Sequence, residues 1–241
     1  MRYLFALAVA GVTVWSFLVP DAIGFQRPEL ARVFFWHFPC PILATVLLMI
    51  GAWFSFKFQR TKNLVWDVRA VACMELGYIF CLMTMATGII FSKVQWGEWW
   101  QNDPRQTSFL MVLLIYAAYF GLRGAITDDV KRAQNTGVYA LAALMPMLFL
   151  TFVFPRLPGV ESFHPNESIM TGQIKGQYAY VVIAVMVLMA WMSVWMYRIR
   201  VRAGVLELGV EEMSNGNGLE TGSGDSAGST VVRPVRVSRE S

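Results

Sequence analysis

The residues best suited to chemistry in this chain are its only two histidines, His37 and His164, and a tryptophan-rich segment between them. The segment covers residues 96–108 and reads Trp-Gly-Glu-Trp-Trp-Gln-Asn-Asp-Pro-Arg-Gln-Thr-Ser. Two neutral imidazoles can supply both axial positions of a haem iron, and indole faces can cover the macrocycle. The alternative for either histidine alone is an interfacial side chain that is hydrogen-bonded to loop backbone.

The spacing of the tryptophans suggests how such a ring could be held. Trp96, Trp99 and Trp100 fall at i, i+3 and i+4, so a helical turn would place three indoles on one face as a flat apolar shelf. An aromatic belt is the competing interpretation, because tryptophan is enriched at bilayer interfaces in membrane proteins generally. Haem propionates require cations, and Arg105 and Arg32 are the nearest candidates in sequence.

Asp103 has the position of a helix cap. Pro104 follows it and Gln106 stands at the third helical position, which together are typical of a helix start. We therefore predict that Asp103 caps the next helix and contacts the ligand through the turn that it fixes.

Composition indicates the class of protein. Of 241 residues, 56% are hydrophobic and 15% are charged, and the mean hydropathy is +0.48. The apolar blocks are long enough to cross a hydrocarbon core of about 30 Å as helices. The sequence thus predicts an all-α integral membrane protein with about six transmembrane helices. The expected spans are 3–19, 38–57, 70–91, 107–122, 137–154 and 178–197.

The distribution of lysine and arginine predicts the orientation. Eleven of them fall in one set of loops, six in the opposite set and three in the C-terminal tail. The positive-inside rule then places both termini in the cytoplasm, and the tryptophan-rich segment and both histidines on the outer face. The net charge of +4 reflects this bias, so no nucleic-acid binding is inferred from it.

Two domains are expected. Residues 1–202 form the transmembrane domain, and residues 203–241, rich in Gly, Ser, Asn and Glu, form a disordered cytoplasmic tail.

Several kinds of chemistry are disfavoured by missing or scattered residues. The chain has no C-x-x-C-H motif for covalent haem and no P-loop for ATP hydrolysis. Cys40, Cys73 and Cys81 form no C-x-x-C pair and are expected in the core. Glu75 lies within an apolar span, where a carboxyl group requires a partner, on a neighbouring helix or at Arg69 or Tyr78.

The tryptophan-rich segment resembles the "WWD" signature of haem-handling proteins of cytochrome c biogenesis. The matching residues are Trp96, Gly97, Trp99, Trp100, Asp103, Arg105, Thr107 and Ser108, whereas Asn102 stands where the pattern has another tryptophan. The six spans, the length, the flanking histidines and the elements Glu75-Leu-Gly77 and Thr87-Gly88 are similar to the CcmC branch. Pro104 after Asp103 is closer to the CcmF and CcsA branches.

This resemblance implies a non-enzymatic, multi-pass protein of the bacterial inner membrane that binds haem b without a covalent bond. It implies axial ligation by His37 and His164, and a haem platform of Trp96, Trp99, Trp100 and Asp103. Delivery to a CcmE-like haem chaperone is implied, with a CcmA/CcmB/CcmD-like ABC complex as further partner. The alternatives are a haem lyase component of the CcmF or CcsA kind and a b-type electron-transfer protein. A lyase of that kind is usually longer, and a dihaem electron-transfer bundle needs more buried histidines.

Overall fold

The computed structural model describes residues 2–21, 25–164 and 176–220, and every regular element within these ranges is helical. The predicted all-α class is therefore confirmed. The seven α-helices are α1 (Arg2–Leu18), α2 (Phe34–His37), α3 (Pro39–Thr61), α4 (Leu64–Trp96), α5 (Pro104–Gly124), α6 (Asp129–Leu148) and α7 (Gly176–Glu220). A 3-10 helix (Pro28–Val33) precedes α2, and a π-helix (Phe149–Val153) and a 3-10 helix (Phe154–Arg156) follow α6.

Five helical segments of the described chain are long and apolar enough to cross a membrane. They correspond to five of the six expected spans and are Pro28–Thr61, Leu64–Trp96, Pro104–Gly124, Asp129–Arg156 and Gly176–Glu211. The remaining expected span, 3–19, coincides with α1, an apolar helix of 17 residues that is shorter than the others. At 1.5 Å per residue α1 measures about 26 Å, slightly less than the hydrocarbon thickness.

The C-terminal part of the chain is helical further than expected. Helix α7 continues to Glu220, so the segment 203–220, expected to be disordered, is helical. Residues 221–241 of the expected tail lie outside the described residues. The chain divides into two compact units, 1–204 and 205–241, and the site discussed below lies within the first.

Glycines allow α3 and α4 to pack closely. A Cβ atom added at Gly51 would lie 2.8 Å from Met74 Cε, and one added at Gly77 would lie 2.9 Å from Leu48 Cδ2. Small residues at such contacts let helix backbones approach each other, which is how helices pack in lipid. This packing fixes α4 relative to the chain segment that carries His37.

Two ion pairs connect the first half of α4 to other helices. Arg200 on α7 donates to both carboxylate oxygens of Glu75, at 2.7 and 3.0 Å, so the expected partner of Glu75 lies on a neighbouring helix. Arg123 on α5 binds both oxygens of Asp67, at 2.6 and 3.2 Å, and also donates to Thr136 on α6. Each pair gives an ionisable group within an apolar span a partner of opposite charge, and such a group is costly in a membrane without one.

The three cysteines are buried and unpaired, as expected of small core residues. Cys40 lies on α3, and Cys73 and Cys81 lie on α4.

Candidate functional site

The first histidine is held against α4 by a hydrogen bond. His37 is the last residue of α2, and its Nδ1 lies 2.9 Å from Thr87 Oγ1. The Thr87 hydroxyl donates its single proton to the carbonyl of Met83 at 2.6 Å, so it can only accept from the imidazole. His37 Nδ1 therefore carries the proton, and Nε2 keeps a lone pair that can bind a metal.

Two further residues of α4 pack on the His37 ring. A Cβ atom added at Gly88 would lie 3.0 Å from His37 Cε1, so the absence of a side chain there makes room for the imidazole. The ring of Phe91 is nearly parallel to that of His37, with an interplanar angle of 10° and centroids 6.0 Å apart. Thr87, Gly88 and Phe91 thus form the surface on which His37 lies.

The second histidine is held by Asp103. His164 lies in the loop after Arg156, and its Nδ1 is 3.2 Å from Asp103 Oδ1. The other carboxylate oxygen accepts from Ser162 Oγ and from the backbone N–H of Phe163, both at 2.7 Å. Asp103 therefore fixes the three residues of the loop that end at His164.

Asp103 also caps α5, as predicted from the sequence. Its Oδ1 accepts from the backbone N–H of Arg105 at 2.8 Å, with Pro104 at the first helical position. In a capping box the side chain of Gln106 would accept from the backbone N–H of Asp103. Here it accepts from the backbone N–H of Gln101 and donates to the Trp99 carbonyl. One carboxylate thus joins a helix start to a loop about 60 residues later in the chain.

The environment of Asp103 keeps it ionised. Only 2% of the residue is exposed, and burial alone raises the pKa of the carboxyl group. The hydrogen bond and charge interaction with His164, together with the hydrogen bonds from Ser162 and from the backbone of Arg105, outweigh burial and hold the pKa below its usual value. An ionised carboxylate only accepts hydrogen bonds, so His164 donates through Nδ1, and a neutral imidazole then offers Nε2.

Aromatic contacts connect the two histidines. Phe91, which stacks on His37, contacts Trp96 edge to face at 5.6 Å between centroids. Trp96 in turn contacts His164 at 4.9 Å with an interplanar angle of 72°. The imidazoles themselves are close enough to interact electrostatically. The fold therefore brings together residues that lie 127 positions apart in the chain.

The tryptophans do not form the expected shelf on a helical turn. Helix α4 ends at Trp96, because Gly97 adopts a left-handed conformation with φ of +89°. Trp99 and Trp100 lie in the irregular segment that follows. Their spacing of i+3 and i+4 from Trp96 therefore does not place the three indoles on one face of a helix. Trp99 is 56% exposed, whereas Trp100 is partly buried and donates to Asn102 Oδ1 at 3.0 Å.

The candidate cations differ in their surroundings. Arg32 donates to two backbone carbonyls at the end of α1 and to Asp21, with 2.8 Å to the Asp21 carboxylate, so it ties α1 to the segment before α2. Arg105 is partly buried in the first turn of α5, next to Asp103. Arg156 lies close enough to Arg105 for the two guanidinium groups to repel each other.

Phe91 and Ser162 were not identified from the sequence, and Thr87 was singled out only as part of the Thr87-Gly88 element, without a partner. Thr87 and Phe91 are separated by four residues on α4, so helical periodicity places them on one face. No local pattern indicates that this face meets His37, which comes 50 residues earlier. Ser162 lies two residues before His164, but its partner Asp103 lies 59 residues earlier in the chain.

Comparison with known proteins decides the family. The family model described as CcmC, Heme exporter protein C, matches residues 1–214 of the 241. The chain belongs to the haem exporter protein C family. This family comprises membrane components of haem transport in cytochrome c biogenesis and not enzymes, as the WWD resemblance implied.

Individual members of the haem exporter protein C family are similar over shorter stretches. The chain is 31% identical over 136 residues to Heme exporter protein C of Paracoccus denitrificans, covering 56% of this chain and 55% of the relative. For the protein of the same name from Rhodobacter capsulatus the identity is 32% over 129 residues, covering 53% and 52%. For that of Escherichia coli K12 it is 29% over 150 residues, covering 58% and 59%. The chain thus spans somewhat more than half the length of the curated relatives it matches.

Proposed function

We propose that this protein binds haem b non-covalently between His37 and His164 and passes it to a haem chaperone for the maturation of c-type cytochromes. The observation that carries the proposal is the hydrogen bonding of the two imidazoles. Each ring engages a fixed acceptor through Nδ1, Thr87 for one and Asp103 for the other, and so presents Nε2. That is the arrangement in which histidines bind a metal with their orientation set by a second hydrogen bond.

The surroundings of the histidines match the remaining requirements of haem. Phe91 contacts the imidazole of His37, Trp96 contacts that of His164, and both aromatic rings offer apolar faces to a macrocycle. Trp99 and Trp100 lie three and four residues after Trp96, and the exposed indole of Trp99 can cover a ring that enters from outside. Arg105 supplies positive charge for a propionate, and the nearby Arg156 adds to the local potential.

The proposed location follows from the charge distribution. Both termini lie in the cytoplasm, α1 completes a set of six spans, and the histidine site faces the periplasm from the bacterial inner membrane. At that face a CcmE-like chaperone can approach the site, while a CcmA/CcmB/CcmD-like ABC complex assembles with the same protein. A haem held only by axial bonds and stacking can be transferred, because no covalent bond has to be broken.

Two other functions are less well supported by the same site. An electron-transfer protein with two haems needs at least two more axial ligands, and the chain contains only two histidines. A haem lyase requires a binding surface for apocytochrome in addition to the haem site, and nothing among the described residues favours one.

Absorption spectra of the purified protein test the haem site. The wild-type protein, loaded with haem, should give low-spin bands in the oxidised and reduced states. His37→Ala and His164→Ala should each give the spectrum of a haem with a single protein ligand. The double variant should lose most of its haem. Retention of low-spin bands at full occupancy in the double variant contradicts the assignment of both ligands.

Co-purification tests the transfer of haem. A CcmE-like chaperone from the same cell should associate with the detergent-solubilised protein, and more strongly when haem is present. Linkage then requires the chaperone to tighten haem binding in the ternary complex by the same factor. Replacement of Trp96, Trp99 and Trp100 by alanine should abolish the haem-dependent part of the association.

Trp53 on α3 provides the matched control for that experiment, because it is also a largely exposed indole, at 55%, and within the described part of the chain its ring contacts are with Phe56 and Lys57 of the same helix. Trp53→Ala should therefore associate like the wild type. No association of the wild type in either condition, or equal association of the triple variant, contradicts hand-off at this face.

A further inference from the structure

We propose that Thr87 is a positioning residue for the haem ligand His37, fixing the imidazole so that Nε2 faces the iron. This inference rests on the proposed function, since it assigns a role within the same site. The tryptophan-rich segment does not include Thr87, and the contact joins residues 50 positions apart. Two hydrogen bonds converge on the hydroxyl group of Thr87.

The Thr87 hydroxyl has one proton and two lone pairs. It lies 2.6 Å from the Met83 carbonyl, which can only accept, so the proton is directed there. A lone pair is then left for His37 Nδ1 at 2.9 Å. The helix backbone of α4 thereby sets the direction of the hydroxyl, and the hydroxyl in turn sets the tautomer of the imidazole.

Among the described residues, Thr87 is the only hydrogen-bond partner of the His37 ring. Without it, the Nδ1 proton is left unsatisfied in a partly buried position, and neither tautomer is preferred by a protein group. Gly88 and Phe91 restrict where the ring lies, but neither can distinguish Nδ1 from Nε2. Position and tautomer are therefore controlled by different residues.

The neighbouring Thr84 shows what a threonine without this role does. It lies one turn earlier on α4, is buried, and donates to the Phe80 carbonyl at 2.7 Å. Both hydroxyls thus bond back to their own helix, and only that of Thr87 also contacts an imidazole. Thr84 is a matched control in the same helix.

The experiment compares Thr87→Val, Thr87→Ser and Thr84→Val in the full-length, detergent-solubilised protein. Haem is titrated into the haem-free form, and the spectrum and midpoint potential are measured on the loaded form. Loss of a hydrogen bond to a metal-bound histidine typically lowers affinity about 10- to 100-fold. We expect a weakening of that size in Thr87→Val, a mixed-spin spectrum and a shifted potential, whereas Thr87→Ser and Thr84→Val should behave like the wild type.

A second comparison keeps the test decisive if Thr87→Val does not fold. Thr87→Ser and Thr87→Ala differ only in the hydroxyl, so the inference requires Ser to retain low-spin haem and Ala to lose it. Equal behaviour of these two variants, or a Thr87→Val protein with wild-type affinity, spectrum and potential, overturns the role of Thr87. If the wild type itself has no bis-histidine haem, the proposed function fails and not only this inference.

Discussion

At the scale of single residues, the two histidines have different hydrogen-bond acceptors. His164 donates to an ionised, buried carboxylate, whereas His37 donates to a neutral hydroxyl. A carboxylate partner makes an imidazole the more basic ligand, so the iron bond on the His164 side is expected to be the stronger one. Asp103 should therefore contribute to haem affinity independently of its role as a helix cap.

Asp103→Asn separates these two roles. Asparagine caps helices about as well as aspartate, so the start of α5 should keep its stability. The neutral amide is a weaker acceptor for His164, and we expect haem affinity to fall about 10- to 100-fold and the midpoint potential to rise. Asp103→Ala should lose the same affinity and, in addition, about 1 kcal/mol of stability from the missing cap. Thermal unfolding and haem titration of both variants check this, and wild-type affinity in Asp103→Asn contradicts it.

Gly88→Ala tests the space beneath His37. The added Cβ atom lies 3.0 Å from His37 Cε1, so the ring has to move by a few tenths of an ångström away from Gly88. Haem affinity should decrease although alanine is the better helix former. Gly121→Ala on α5 is the control, because nothing lies within 4 Å of a Cβ atom there. Equal haem binding by the two variants argues against a close fit at Gly88.

At the scale of helices, the end of α4 positions the tryptophan-rich segment. Gly97 has a φ of +89°, and its backbone N–H bonds to the Lys93 carbonyl at 3.1 Å. A residue with a Cβ atom in a left-handed conformation costs about 1–2 kcal/mol, and asparagine tolerates this conformation better than most. Gly97→Ala should therefore lower the melting temperature and haem content more than Gly97→Asn does. The same loss in both variants points to a cause other than backbone conformation.

The sequence predicted the start of α5 more successfully than the end of α4. Asp103, followed by proline, carries its signal in adjacent residues, and capping is a local interaction. The spacing of Trp96, Trp99 and Trp100 is also a local pattern, but it predicts a shared face only if the helix continues through all three residues. Gly97 ends the helix after Trp96. Apolar periodicity defines which segments are helical and is less informative about where they stop.

At the scale of the whole molecule, the membrane class and most spans followed from composition, because long apolar blocks have few alternatives in lipid. The contacts that build the site did not follow from composition. Thr87 is 50 residues from His37, and Asp103 is 61 residues from His164, so both pairs depend on how the helices pack. The sequence indicated the ligands by residue type and singled out Asp103 and the Thr87-Gly88 element, but it contained no signal that these residues contact the two histidines.

Cysteine accessibility tests the proposed orientation. Glu161→Cys, in the loop before His164, and Lys131→Cys, in the first turn of α6, place exposed thiols at positions expected on opposite sides of the membrane. In intact spheroplasts, a membrane-impermeant maleimide should label the thiol at 161, and it should label the one at 131 only after lysis. The native cysteines are buried and should give little background. The opposite pattern contradicts a cytoplasmic location of the termini.

Helix α4 is longer than a hydrocarbon core requires. Its 33 residues measure about 50 Å, and at a tilt of about 40° they still extend about 38 Å along the membrane normal, more than the roughly 30 Å of hydrocarbon. Thr87 lies about 14 Å along the axis from Trp96. His37 contacts α4 at the level of Thr87, and His164 contacts it at the level of Trp96. A porphyrin is itself amphiphilic, with an apolar ring and two carboxylates on one edge, so a haem held by these histidines would be expected to turn its charged edge toward the Trp96 end of α4, where Arg105 lies beside Asp103.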